Sequence, residues 1–158
     1  MSAISASQVK ELREKTGLGL MDCKKALEEA NGDIDLAIEE LRKTSGIKAS
    51  KKSGRSAADG LIGITNKDKD FFMIEVNCET DFVARDDSYI NFTKETLDTY
   101  SNNPSHSLEQ LLESGVEDNR EKLVQKLGEN IVVRRLAKSD ESSISGSYLH
   151  SNHCLLYT

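Results

Sequence analysis

Along the first third of the chain, apolar residues return with a helical period between short breaks. From Ser5 to Lys15, Val9 and Leu12 share one face, Ser5 and Gln8 stand at capping-box spacing, and Gly17 is placed to end the helix. Gly19 opens a second segment in which Cys23, Ala26, Leu27 and Ala30 recur at i, i+3, i+4 and i+7, and Asn31-Gly32 stops it. Asp33 is the expected cap of a third, with Ile34, Ala37, Ile38 and Leu41 on one stripe. Three short helices with short turns predict a compact bundle. At roughly 40 residues it lies near the lower size limit for independent folding, so the stripes must pack on one another and leave little room for a ligand pocket. Lys24 and Lys25 fall off the second stripe and point to solvent.

From Thr44 to Gly60 the composition turns to Ser, Gly, Ala, Lys and Arg, which reads as a linker. Leu61–Thr65 and Phe71–Val76 then have strand content and are separated by the polar run 66–70, so they should pair antiparallel. Past Cys78 the chain turns polar: Asn77, Thr80 and Asp81 can bond nearby backbone groups in competition with a strand ladder. Glu79 to Asp81 is therefore a predicted turn, with Asp81 as cap of the next segment. Phe82 follows directly, and two readings stand: the ring folds back into its own core, or it is held outward. Residues 87–100 carry Tyr89, Ile90, Phe92 and Leu97 in a helical pattern that would cover one sheet face, ended at Asn102-Asn-Pro104. Leu108, Leu111 and Leu112 make a helical turn. A further helix over 118–127 buries Leu123, Val124 and Leu127 and stops at Gly128. Ile131–Ala137 and Ile144–His150 have strand propensity, for a sheet of about four strands. Helices on one face of an antiparallel sheet make this an α+β chain.

Composition narrows the function classes. Of the 158 residues 30% are charged and only 5% aromatic, so the core must be aliphatic and the surface heavily solvated. A net charge of −6 argues against a general nucleic-acid coat, because phosphate binding is driven by Lys and Arg. The basic run Lys48, Lys51, Lys52 and Arg55 carries no interleaved aromatic for base stacking. Protein partners are the better expectation. Cys23, Cys78 and Cys154 are odd in number and far apart, fitting neither a disulfide framework nor a zinc spacing, and point to a reducing cytosol. No basic-then-apolar leader opens the chain, and no stretch approaches the ~20 apolar residues of a membrane span. Glu75, Glu79, Asp81 and Asp86 lack a partnered histidine or nucleophile, which argues against an enzyme. His150, His153 and Cys154 lack a fourth ligand, so no metal or cofactor is expected.

The stretch Glu75-Val-Asn-Cys-Glu-Thr-Asp-Phe-Val-Ala-Arg85 resembles the second signature of bacterial elongation factor Ts, the nucleotide exchange factor of the GTPase elongation factor Tu. Leu12-Arg13, Thr16-Gly17, Gly19–Leu27 and Asn31-Gly32-Asp33 resemble the N-terminal signature of the same family, in the same order and at the same distance. Gly128–Ile131 with Arg134-Arg135, then Gly146–His150, resemble the end of the first half of its core. The resemblance runs to about His150. It implies a small ubiquitin-associated-type three-helix domain over 1–45 that docks on the GTPase. A basic linker over 46–60, the N-terminal half of the core α+β domain over 61–150, and an atypical tail over 151–158 follow. Residue by residue it implies that Asp81 and Phe82 intrude near the magnesium site of the GTPase. Leu127, Gly128 and His150 are expected to support that contact, Lys24 on the three-helix domain is a separate candidate contact to the GTPase, and the compartment is expected to be cytoplasmic.

After His150 the sequence Ser151–Thr158 departs from the family pattern, and a truncated or altered end is expected. A last strand without its hairpin partner would leave an open sheet edge. Short members of the family make up a missing second core half by homodimerising, so a dimer through the exposed core sheet is expected too. The competing expectations are an adaptor that binds the GTPase without promoting exchange, and an RNA-associated accessory acting through Lys48 to Arg55.

Overall fold

A computed structural model describes residues 4–67 and 69–139, and the backbone of 146–150 and 153–157. Three helices come first: α1 (Ala6–Thr16), α2 (Leu20–Glu29) and α3 (Ile34–Lys52). The caps are those that the side-chain chemistry predicts. Ser5 and Gln8 form a reciprocal capping box, Gly17 closes α1 in the left-handed region at φ 69°, and the Asp33 carboxylate accepts the Leu36 N–H at 3.0 Å. Leu12, Leu18, Cys23, Ala26, Leu27, Ala30, Ala37 and Leu41 make a closed aliphatic core for the bundle.

The third helix corrects the linker reading. It continues as one helix to Lys52, through seven of the residues assigned to the 46–60 linker. Serine and glycine there serve close packing instead of flexibility. The Thr44 and Ser45 hydroxyls donate back to the carbonyls of Leu41 and Arg42 at 3.0 and 2.6 Å, and Ser45 is buried. Gly46 lies under the Glu121 carboxylate, where a β-carbon would stand 3.0 Å from Oε1. Ala49 is buried in the second core. One helix thus contributes Ala37 and Leu41 to the first core and Ala49 to the second, joining them by a continuous hydrogen-bonded rod.

Strands β1 (Asp59–Lys67) and β2 (Asp70–Cys78) pair antiparallel from Asp59↔Cys78 to Lys67↔Asp70, as the hairpin reading expects. Strand β3 (Val132–Lys138) pairs antiparallel with the other side of β2, giving the order β1-β2-β3. A bulge between Glu75 and Val76 shifts that register, so Glu75 faces both Arg134 and Arg135, its partners at 3.1 and 2.5 Å. At Gly60 a β-carbon would meet the Val76 carbonyl at 2.2 Å and φ is +150°, so only glycine lets β1 approach β2 there.

Helix α4 (Asp81–Ala84) follows β2 at once, and α5 (Asp87–Asn102) then crosses β1 and β2. Tyr89 is fully buried and donates its hydroxyl to the Val76 carbonyl at 2.6 Å, while Phe72 and Tyr100 meet edge to face at 5.4 Å. Helix α6 (Leu108–Leu111) passes through a wide turn at Leu112–Val116 into α7 (Glu117–Leu127), which packs on α3. Gly128 stops α7 at φ 79°.

The sheet has three strands among the described residues, not the expected four. Strand β4 (Gly146–His150) instead pairs antiparallel with β5 (His153–Tyr157) in a separate two-stranded sheet. Within the tail, residues 153–157 are therefore a strand, and β4 has a hairpin partner, so the open edge considered for a last strand without one does not arise there. The aromatic and aliphatic content of Cys154–Tyr157 is the sequence-level reason. Among the described residues no helix is long and apolar enough to cross a membrane.

Candidate functional site

The junction between β2 and α5 decides how the polar turn presents its aromatic ring. Thr80 has extended backbone, and its hydroxyl oxygen accepts the Val83 N–H at 3.5 Å, so Thr80 caps α4. This corrects the assignment of the cap to Asp81, which occupies the first helical position and pairs with Arg85 at 3.0 Å. A helix of four residues turns its side chains through about one full circle. Val83 and Ala84 are buried against the main core, and Phe82, on the other side of that turn, is 82% exposed. Of the two readings of Phe82 the outward one holds. An aromatic ring left in water forgoes about 1.5–3 kcal/mol of burial, so its position needs a separate structural cause.

That cause is a set of polar bonds from two other segments. The Glu129 carboxylate accepts the backbone N–H groups of Glu79 and Thr80, each at 3.0 Å, and the Thr80 hydroxyl at 2.6 Å. In return the Glu79 carboxylate accepts the Asn130 backbone N–H at 2.6 Å and the Arg55 guanidinium at 3.3 Å. Asn130 is buried and donates its amide to the Arg55 carbonyl at 2.8 Å, and Lys52 donates to the Gly128 carbonyl. Arg120 reaches the Ile131 carbonyl at 2.8 Å from α7 and is itself held by Glu117. Residues 79–80, 128–131 and 52–55 are thereby fastened into one cluster. The Asn130 N–H, with the Arg55 hydrogen bond and the charges of Arg55 and Lys52, holds the Glu79 carboxyl below the usual carboxylate range against the opposing effect of burial. The Ser88 hydroxyl does the same for Asp86, which caps α5.

Beneath this loop Cys78 is fully buried, and burial pushes its thiol up to about 11. It is a protonated, unreactive thiol at neutral pH. Among the described residues no group of three or more His, Cys, Asp and Glu side chains could hold a metal ion.

The other expected contact residues fall in different places. Leu127 is half-buried against the main core, and Gly128 is exposed at the end of α7, inside the hydrogen-bonded cluster. Lys24 lies on α2 of the bundle, pairs with Glu28 at 3.7 Å, and belongs to no bond of the Phe82 cluster. Near it Leu20 and Met21 are exposed, Met21 by 76%. His150 ends β4 opposite His153, and its side chain lies outside the described residues. The residues that residue-by-residue reading missed are Glu129, Asn130 and Arg55. Glu129 and Asn130 stood within the Gly128–Ile131 stretch that carries the resemblance, but nothing local says which groups a polar pair between a helix stop and a strand will bond.

Residues 79–155 match the family described as Elongation factor TS. The chain is 52% identical over 155 residues to elongation factor Ts of Marinobacter nauticus, covering 97% of this chain and 53% of that protein. Against the elongation factor Ts of Hahella chejuensis it is also 52% identical, over 97% of this chain and 54% of the relative. That of Salmonella agona is 51% identical over 150 residues, 95% of this chain and 52% of the relative. The chain spans about half the length of the curated relatives it matches.

Proposed function

This chain belongs to the elongation factor Ts family, and on that premise we propose that it binds the translational GTPase elongation factor Tu in its GDP form and promotes GDP release during translation elongation. The observation that carries the reading is Phe82: its ring is 82% exposed, yet the loop bearing it is tied down on two sides. An aromatic side chain in that state is suited to a concave apolar pocket of a partner. Asp81, next to it and half-exposed, would accept or share hydrogen bonds at the rim. Gly128 joins the contact through the cluster and Leu127 beside it from the end of α7, while Lys24 and the bundle engage separately, and His150 would support it from β4.

The mechanism is differential binding without covalent chemistry. A wedge that favours the GTPase conformation with displaced magnesium and phosphate contacts weakens GDP by the same factor by which GDP weakens the wedge. The chain itself needs only to hold the ring where the pocket opens. Catalysis of bond making is not part of this reading, and the compartment is the cytoplasm.

A second reading is an adaptor that binds the GTPase and leaves GDP release unchanged. It is favoured by exposed Leu20 and Met21 beside Lys24, a surface on the bundle independent of Phe82. Stopped-flow release of a fluorescent GDP from the GTPase separates the two. Acceleration that rises with the concentration of this chain supports exchange, and co-purification with no acceleration supports the adaptor. Assembly as a homodimer through the core sheet would use β3, an edge strand of the β1-β2-β3 sheet. Sedimentation as a strict monomer at tens of micromolar would count against it.

A further inference from the structure

We propose that Glu129 is a positioning residue for Phe82, a role that rests on the exchange reading above and deepens it. The Glu129 carboxylate takes three donors that immediately precede the ring: the N–H groups of Glu79 and Thr80 and the Thr80 hydroxyl. An ionised carboxylate only accepts, so the Thr80 hydroxyl hydrogen must point at Glu129. The lone pairs of that oxygen are then left for the Val83 N–H, the bond that starts α4. Glu129 therefore sets the cap, and the cap sets the direction in which residue 82 leaves the helix.

A single turn of helix does not hold itself in water, because fixing its backbone angles gains too few bonds. The apolar anchors of this one are only Val83 and Ala84. Without the carboxylate the turn can fray, and the ring can fold back on its own surface; docking would then first have to order it. The reciprocal bond from the Asn130 N–H to Glu79 carries the same constraint to residues 127–130. Segments 49–51 residues apart in sequence thus meet the partner as one preformed surface.

The test uses the full chain with Glu129→Ala, Glu129→Gln and Phe82→Ala. Hydrogen exchange should quicken across residues 79–85 in Glu129→Ala and stay at the parental level in β1 and β2. Acceleration of GDP release should fall about tenfold or more in Glu129→Ala. Glu129→Gln keeps one accepting oxygen for the Glu79 and Thr80 N–H groups but puts an amide donor where Oε1 takes the Thr80 hydroxyl, so its loss should lie between those of the parent and Glu129→Ala. In the Phe82→Ala background, Glu129→Ala should cost less than about twofold, because a residue that acts through the ring has nothing left to position. Equal losses in both backgrounds, or unchanged protection of 79–85, would overturn the proposal. If Phe82→Ala alone leaves release unchanged, the exchange reading fails and the kinetic role of Glu129 goes with it. Protection of 79–85 still decides then whether Glu129 holds the loop.

Discussion

Replacing Phe82 by alanine separates the outward ring from a core residue on two independent scales. The ring is 82% exposed, so most of the 150–250 Å² that a phenylalanine can bury is available to a partner. Taking about 120 Å² as the area removed from water on docking and about 25 cal/mol per Å², truncation forfeits about 3 kcal/mol of contact. At about 1.4 kcal/mol per decade this is a loss of roughly a hundredfold in the acceleration of GDP release at a fixed, subsaturating concentration. Folding stability should hardly move, because the ring touches little of its own chain, and surface changes of this kind stay within about 0.5 kcal/mol. A buried phenylalanine would behave in the opposite way, costing about 3–5 kcal/mol of stability on truncation. Stopped-flow release from the GTPase and urea unfolding of the same preparation read the two quantities side by side. A release rate within about threefold of the parent would refute the assignment of the ring to the partner. A fall in stability of several kcal/mol would refute its assignment to the surface.

Tyr89→Phe leaves the buried Val76 carbonyl without the hydroxyl that donates to it at 2.6 Å, and should lower unfolding stability by about 1–2 kcal/mol, seen as a lower urea midpoint with an unchanged slope. Gly60→Ala forces a β-carbon to within 2.2 Å of the Val76 carbonyl at a left-sided φ, so β1 should unzip from β2 and thermal unfolding should drop by more than any surface alanine produces. The folded pKa values of Glu75, Glu79, Asp86 and Glu117 all lie below their usual ones. For Glu75, partial burial acts against the shift, and the Arg135 hydrogen bond with the charges of Arg135 and Arg134 outweighs it. A carboxyl lowered on folding adds stability that is fully present above its unfolded pKa and is lost as pH falls through the folded one. The urea midpoint should therefore be flat from about pH 8 to 5 and fall below about pH 4, and Glu79→Gln should make that fall shallower.

Much of this fold was legible because local chemistry and packing agree. Ser5 with Gln8, Gly17, Asp33, Pro104 and Gly128 end or start helices by rules that act within a few residues, and the stripes Cys23/Ala26/Leu27/Ala30 and Leu123/Val124 bury the faces their spacing predicts. The same holds for β1 and β2, whose β-branched and aromatic content stands between polar turns. The reading failed where composition carries two meanings. Serine, glycine and alanine from Thr44 to Ala49 describe a flexible linker as well as they describe a helix side that must stay small under a crossing α7, and only the neighbour decides between them. Strand propensity after Gly146 was visible too, but not which strand it would join, because pairing is chosen by partners distant in sequence.

The ring of Phe82 is the clearest case of this division. The run of strand, polar turn and aromatic from Glu75 to Arg85 determined by itself that a large apolar side chain would stand just past a strand end, and its likeness to the elongation factor Ts signature came from those letters alone. Its direction was not in them, because a phenylalanine gains free energy by turning inward, and nothing local forbids that. Tertiary structure settled it: Glu129, about 50 residues away, takes the N–H groups that precede the ring, Asn130 and Arg55 complete the tie, and the buried Val83 and Ala84 claim the inward side of a turn too short to hold a third. Hydrogen bonds across such sequence distances exist only once the chain has folded, so the sequence names the ring and the fold aims it.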